Sequence, residues 1–313
     1  MGTKISMVSL SLPFFRFSSG NSISTSSKAA KKCLENAGID PSEIGLLINT
    51  GIYRYKNTGE PSIASLIQKK IMRYQPAKMK SADVHARDKD TFSFDLNQGA
   101  CGWLAGIQIM DGFIQTGDIR HGLVCTGDSE PFRGSSVNYR FDSAAAAIIL
   151  SGSETSGGFS DFKTYYYPDL GEEFSGITRF GKINGKRGKR NILYIEQKKS
   201  YLENCISCAA ESLQKYIDET RLTLNEIDLI ISSQSPEGLV PCLKERTGLG
   251  NKFVEVINNR NKELHTAGPA FALKKSWDDH SFSDSKNILF LTVGSGIIVS
   301  LATYKNSPPD GKA

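Results

Sequence analysis

The chain has 313 residues, 39% of them hydrophobic and 23% charged, which supplies a sizeable core and excludes wholesale disorder. Its net charge of +5 suits an anionic ligand or acidic partner but falls short of a dedicated nucleic-acid binder. No run approaches the ~18 consecutive apolar residues of a membrane span, and six cysteines in this length are too sparse for a disulfide scaffold, so a reducing cytoplasm is the expected setting.

In chain order, Met1–Phe17 reads as a first strand rather than a signal peptide, because Ser6, Ser9, Ser11 and Pro13 interrupt its apolar residues. Met1-Gly2-Thr3-Lys4-Ile5-Ser6 also fits a loose myristoylation pattern, one short enough to recur by chance. An amphipathic helix is expected around Ser27–Ala37, followed by an apolar strand within Ser42–Thr50. Phe92–Leu96 predicts a buried strand, Trp103–Thr116 a helix, and Gly122–Thr126 and Ala144–Leu150 two more strands. Ser151–Arg190 is glycine-rich and aromatic, then basic, and reads as a long irregular connection, either a functional cap or a solvated crossover. Beyond it come a helix over Tyr201–Ile217, a strand within Asn225–Ser233, a helix over Ala270–Trp277 and strands at Ile288–Thr292 and Gly296–Ala302.

These elements are written twice. Ser42-Glu43-Ile44-Gly45-Leu46-Leu47-Ile48-Asn49-Thr50 aligns with Asn225-Glu226-Ile227-Asp228-Leu229-Ile230-Ile231-Ser232-Ser233, each copy after an amphipathic helix. The helix and two strands after Cys101 match those after His265. The expected class is α/β, with residues 1–150 as one half, 151–190 as the connection and 191–313 as the other half. A pseudo-twofold relation then puts Cys101 and His265 at equivalent helix starts.

Cys101 lies in Asn97-Gln98-Gly99-Ala100-Cys101-Gly102-Trp103, a small-residue turn between strand and helix. A helix N-terminus favours thiolate, and the small neighbours admit a substrate to the backbone; a small core residue is the plainer reading. His265, before Thr266-Ala267-Gly268-Pro269, would complete a Cys–His pair for covalent acyl transfer, with the imidazole as base and then acid. Thr292-Val293-Gly294-Ser295-Gly296-Ile297 reads as a plain hairpin or as a backbone donor to an oxyanion. Cys205-Ile206-Ser207-Cys208 has redox or zinc spacing but no second ligand pair, so core packing is expected. Gly181–Arg190 lacks the ending of a phosphate-binding loop and reads as a basic surface.

The Cys101 run, with Asp95 before it, resembles the nucleophile region of β-ketoacyl-acyl-carrier-protein synthase III in the thiolase superfamily. Phe141-Asp142-Ser143-Ala144-Ala145-Ala146-Ala147 and Gly294-Ser295-Gly296 extend that resemblance over most of the chain. It implies a thiolase-like αβαβα sandwich, an acyl-Cys101 thioester, phosphopantetheine-borne donors (acyl-carrier protein or acyl-coenzyme A) and a dimer. It also implies an oxyanion hole from the backbone N–H groups of Cys101 and Ser295.

The departures carry information too. Where the family has His-Gln-Ala-Asn this chain has Ser233-Gln234-Ser235-Pro236, and where it has Gly-Asn-Thr-Ser this chain has Leu264-His265-Thr266-Ala267. The usual histidine is thus Ser233, a weaker donor that cannot be cationic, and the usual asparagine is His265. In the family the two residues stabilise the enolate of malonyl decarboxylation, so that step is in doubt here. The segment before the first helix is also short, without the Trp and Arg that grip the coenzyme A adenine.

The expected function is therefore an acyltransferase of the ketosynthase III type, with Cys101 as nucleophile, His265 as base and Ser233 as the third site residue. Its rival is a degenerate subunit that pairs with an active homologue. No cofactor, metal, nucleic acid or membrane partner is expected, and the assembly is a homodimer or a heterodimer with a homologue.

Overall fold

The structure, a computed structural model, describes residues 2–12, 21–73, 91–132, 134–140, 143–155, 157–182, 190–257 and 263–306. Met1, Pro13–Phe17, Phe141-Asp142 and the basic residues Lys186, Arg187 and Lys189 lie outside them.

The first half builds β1 (Gly2–Ser11), α1 (Ser22–Ala37), β2 (Ile44–Asn49), α2 (Ile63–Met72), β3 (Phe92–Asp95), α3 (Gly102–Gln115), β4 (His121–Gly127), a short β5 (Ser136–Val137) and β6 (Ala145–Ser153). The rest builds β7 (Gly158–Tyr166), β8 (Phe174–Gly181), β9 (Arg190–Gln197), α4 (Tyr201–Thr220), β10 (Leu229–Ser232), α5 (Leu239–Thr247), α6 (Gly268–Asp278), α7 (Ser281–Asp284), β11 (Asn287–Gly294) and β12 (Ile298–Lys305). One sheet has the order β1-β6-β4-β2-β3 and another β10-β11-β12-β7.

Read from opposite ends, the two sheets are the same sheet. β2 runs parallel to β4 as β10 does to β11, and β6 and β12 return antiparallel. The correspondence holds residue by residue: Ile48 pairs with Val124, and its repeat partner Ile231 pairs with Phe290. An isolated bridge between Ile230 and Phe253 stands where β3 flanks β2.

Alternation along the strands creates the layers. Val124 and Ile148 face a central cluster with Trp103, Ile107 and Met110 of α3 and Ala270, Ala272 and Leu273 of α6. Ile231, Ile288 and Phe290 close that cluster from the other sheet. Leu123, Cys125 and Ile149, on the opposite face, pack under α1 and α2, with Cys33, Leu34, Ile63 and Ile67. Leu289, Leu291 and Leu301 do the same under α4 and α5, with Cys205, Ala209, Leu213 and Leu243. The result is the expected five-layer αβαβα sandwich, with α3 and α6 buried between the sheets.

One expectation is corrected. Ser151–Arg190 is not an irregular connection: β6 continues to Ser153, β7 pairs along β12, and β8 pairs with β9 in a small third sheet completed by β5. The aromatic residues that made the segment look like a cap are strand side chains, Phe159 turning into the central cluster with Phe162 against it. The second sheet therefore takes an edge strand from residues read as a linker. Cys205 and Cys208 are, as expected, core residues on a helix face, with no disulfide between them.

Phe290 is fully buried where the layers meet, its ring 5.9 Å from that of Trp103 and 5.1 Å from that of Phe159. Phe290→Ala is expected to cost about 3–5 kcal/mol; urea unfolding measures it, and a loss under 1 kcal/mol would show that these layers do not share one core.

Candidate active site

Asp95 ends β3 and ties the strand to its surroundings. Its carboxylate accepts from Ile63 N (2.9 Å) and Ala64 N (2.8 Å) at the start of α2 and from Asn49 Nδ2 (3.1 Å), and it pairs with Arg54 at 3.2 Å. The chain then turns through Gly99, whose φ of +53° suits a residue without a Cβ, and delivers Cys101 to the N-terminus of α3.

Cys101 is wholly buried, and its Sγ donates toward Ile298 O (3.3 Å) and Thr292 O (3.5 Å) at the two sides of the β11–β12 hairpin. Burial pushes the thiol up to about 11, with hydrogen bonds from Thr292 and Ser300 pulling in the other direction. The helix start does not produce a thiolate here, because desolvation of the charged form outweighs it. A base is needed to ionise this sulfur.

The hairpin Thr292–Ile297 is both things the sequence left open. It is a β11–β12 turn, and it lies directly on the cysteine: a Cβ on Gly294 would stand 3.2 Å from both Cys101 N and Sγ. Ser295 N lies 3.6 Å from where a Cβ of Gly99 would be, so the Gly99–Cys101 turn and the Gly294–Ser295 turn pack against each other.

His265 sits in a single turn before α6, at a φ of +43°. That turn packs beside α3 and β4, so the two central helices bring Cys101 and His265 to one region. Its backbone N–H donates to Ser235 Oγ (3.1 Å), which itself donates to Glu263 Oε2 (2.5 Å). Its Nδ1 is 2.8 Å from Asp128 Oδ2. The rings of Tyr53 (5.2 Å), Tyr139 (6.3 Å) and Phe174 (6.4 Å, stacked) surround the imidazole. Tyr201 lies against Phe174 at 5.2 Å.

Asp128 was not among the expected residues. It follows the last residue of β4, and its signal in the sequence is only Gly127-Asp128-Ser129 at the end of a buried strand. Its Oδ1 accepts from Ile52 N (2.8 Å) and Tyr53 N (2.9 Å), and its Oδ2 accepts from Thr266 N (3.2 Å) and Thr266 Oγ1 (2.6 Å) as well as facing His265. Burial alone would raise this carboxyl, but His265, Thr266 and the backbone of Tyr53 together hold it below its ordinary value.

Ser233, the third expected residue, is fully buried and its hydroxyl is engaged by β11: it accepts from Val293 N (2.9 Å) and donates to Val293 O (3.3 Å). Among the described residues no group of three or more His, Cys, Asp and Glu is placed to hold a metal ion, and no helix is long and apolar enough to cross a membrane.

Residues 94–167, which hold Cys101 and Asp128, match the family model of 3-oxoacyl-[acyl-carrier-protein (ACP)] synthase III. A β-ketoacyl-[acyl-carrier-protein] synthase III of Pectobacterium atrosepticum is 24% identical over 284 residues, covering 86% of this chain and 79% of that protein. The crystal structure of the 3-oxoacyl-[acyl-carrier-protein] synthase III of Aquifex aeolicus superposes with a TM-score of 0.75 at 18% identity, over 97% of this chain and 100% of that one. A structure of OleA from Xanthomonas campestris with bound lauric acid and lauroyl-CoA gives 0.75 at 16%, over 98% and 99%.

The raised Cys101 thiol sets a test. Peptide-level alkylation of Cys101 by iodoacetamide is expected to rise about tenfold per pH unit from pH 7 to 10, since only the thiolate reacts. A rate already level below pH 8 would contradict the burial effect.

Proposed function

We propose that the chain, which is similar to 3-oxoacyl-[acyl-carrier-protein] synthase III proteins, forms an acyl thioester on Cys101 and passes the acyl group to an acceptor. The observation that supports this reading most is the convergence of two helix starts: the hairpin packs on Cys101 while the His265 turn packs beside α3. Cys101 alone is a poor nucleophile, because burial holds it as the thiol. His265 is the base that takes its proton as the sulfur attacks a donor thioester, and the acid that returns one when the acyl group leaves.

The backbone N–H groups of Cys101 and Ser295 converge on the charge that develops on the acyl oxygen. Ser233 anchors β11 beneath the cysteine, because its hydroxyl is already bonded to Val293 in both directions. The donor is a phosphopantetheine thioester, carried by a protein or by coenzyme A. The units 1–150, 151–190 and 191–313 serve as two halves around the site and a connecting region that contributes Phe174 to it.

A second reading, a subunit that works only beside a homologue, draws on the edge strand β3. Among the described residues β3 is the end of its sheet, and Phe92 on it is 58% exposed. An edge of this kind invites a second chain.

Intact mass after incubation with a panel of acyl-coenzyme A and acyl-carrier-protein donors distinguishes the two. A gain of one acyl group, absent in Cys101→Ala, is the expected result. A folded chain that gains nothing from any donor would favour the subunit reading, and would do so decisively if a homologue from the same source restored the labelling.

A further inference from the structure

Acyl transfer from Cys101 requires something to prepare His265 as a base, and the buried environment of the ring contains one strong candidate. Resting on the function proposed above, we infer that Asp128 is the positioning residue for His265, and that the pair commits the site to acceptors carrying a removable proton, an alcohol or an amine, rather than to a malonyl carbanion.

The geometry of the carboxylate comes first. Asp128 is only 3% exposed and accepts from four donors, two backbone N–H groups on Oδ1 and the Thr266 N–H and hydroxyl on Oδ2, where it also faces the imidazole. So many donors stabilise the anion, and an anion only accepts. In the neutral ring the shared proton therefore sits on Nδ1 of His265, and Nε2 keeps its lone pair. Asp128 orients the imidazole through the same bond.

The anchoring of the ring continues on its other sides. Thr266, the next residue, is held by the same carboxylate, and Ser235 holds the His265 backbone at its positive φ. Among the described residues, the ionisable groups around the ring include Asp128 after β4, Tyr53 after β2 and Tyr139 after β5, with Glu263 reaching the backbone through Ser235. Burial raises both phenols above their ordinary range, so neither competes as an acid or base near neutral pH.

Electrostatics then selects the acceptor. Malonyl decarboxylation moves the malonyl carboxylate's negative charge onto an enolate oxygen, which has to be stabilised by hydrogen-bond donors. It would also need donors on both sides of the enolate, and the Ser233 hydroxyl is engaged by Val293. Proton removal from an alcohol or amine instead places positive charge on His265, which faces the Asp128 carboxylate. In that step the acceptor's oxygen or nitrogen attacks the thioester carbon while its proton passes to Nε2. The carbon–sulfur bond breaks, and the same proton returns to the Cys101 sulfur. Nothing is oxidised or reduced. The rings of Tyr53, Tyr139 and Phe174, together with the 7% exposure of His265, limit competition from water.

The experiment separates loading from discharge. The full-length chain is acylated with p-nitrophenyl butyrate, an activated ester that needs no carrier, and Cys101 occupancy is read by intact mass against Cys101→Ala. The desalted acyl-enzyme is then given n-butanol, n-butylamine, malonyl-coenzyme A or buffer alone across pH 5 to 9. Discharge to the alcohol or amine is expected to rise through one ionisation and level off. Asp128→Asn should lower that plateau about 100-fold or more, with partial rescue by Asp128→Glu.

Discharge of Asp128→Asn within about twofold of the unaltered chain overturns the inference, as does discharge by malonyl-coenzyme A alone or by buffer as fast as by either acceptor. A chain that takes no butyryl group at Cys101 overturns the underlying acyl-transfer reading along with it, and that failure is visible before any acceptor is added. Should Asp128→Asn not fold, the unaltered protein still decides the matter. With only four histidines, ¹⁵N spectra compared with His265→Gln identify the ring; protonation on Nδ1 in the neutral form is expected, and the Nε2–H tautomer overturns the proposal.

Discussion

Two helices, α3 and α6, share one buried layer between two sheets, and the rest of the molecule follows from that constraint. A helix buried on all sides must be apolar around its circumference and must find partners for its end groups inside the protein. Trp103, Ile107 and Met110 on one helix and Ala270, Ala272 and Leu273 on the other meet the first demand. The second brings Cys101 and His265 into the interior, because each stands where one of these helices begins. The polar chemistry of the site is thus set within the best-packed part of the fold, where small displacements are resisted from both sheets.

Burial also explains why the site needs several residues acting together. A cysteine at an exposed helix start would lean toward thiolate without help. At the interior start of α3 the same residue is pushed toward the thiol. Asp128 is equally enclosed, yet His265, Thr266 and the Tyr53 backbone together outweigh the desolvation that would protonate it. A persistent anion and a neutral thiol thus stand in one interior. That division of roles arises from hydrogen-bond supply as much as from the identity of the residues.

Much of the architecture was legible because burial on both faces leaves a strong mark. The apolar runs of β2, β4, β10 and β11 and their repetition predicted buried sheets covered by helices and the equivalence of the two helix starts, while the five layers were implied by the resemblance to synthase III. The connecting segment was misread for a physical reason. β7 buries only its first residues, Gly158 and Phe159, and exposes Asp161, Lys163 and Tyr166, so no apolar alternation marks it as a strand. Its pairing partner β12 lies more than a hundred residues away, and local composition does not encode that distance. Ser233 was identified by position in a family pattern, which locates a residue but does not say that its hydroxyl is taken by the adjacent strand.

The sequence by itself determined the buried strands, the duplication and the candidacy of Cys101 and His265, since periodicity and spacing are local properties that survive without the fold. Only the tertiary structure decided that Asp128 faces His265, that Gly294 lies on Cys101, and that the cysteine rests as a thiol. Each of these depends on contacts between residues from 137 to 197 positions apart or on exclusion of water from their surroundings. Charge state and hydrogen-bond partnership are properties of an enclosed space, and no stretch of chain contains that space until the two halves close around it.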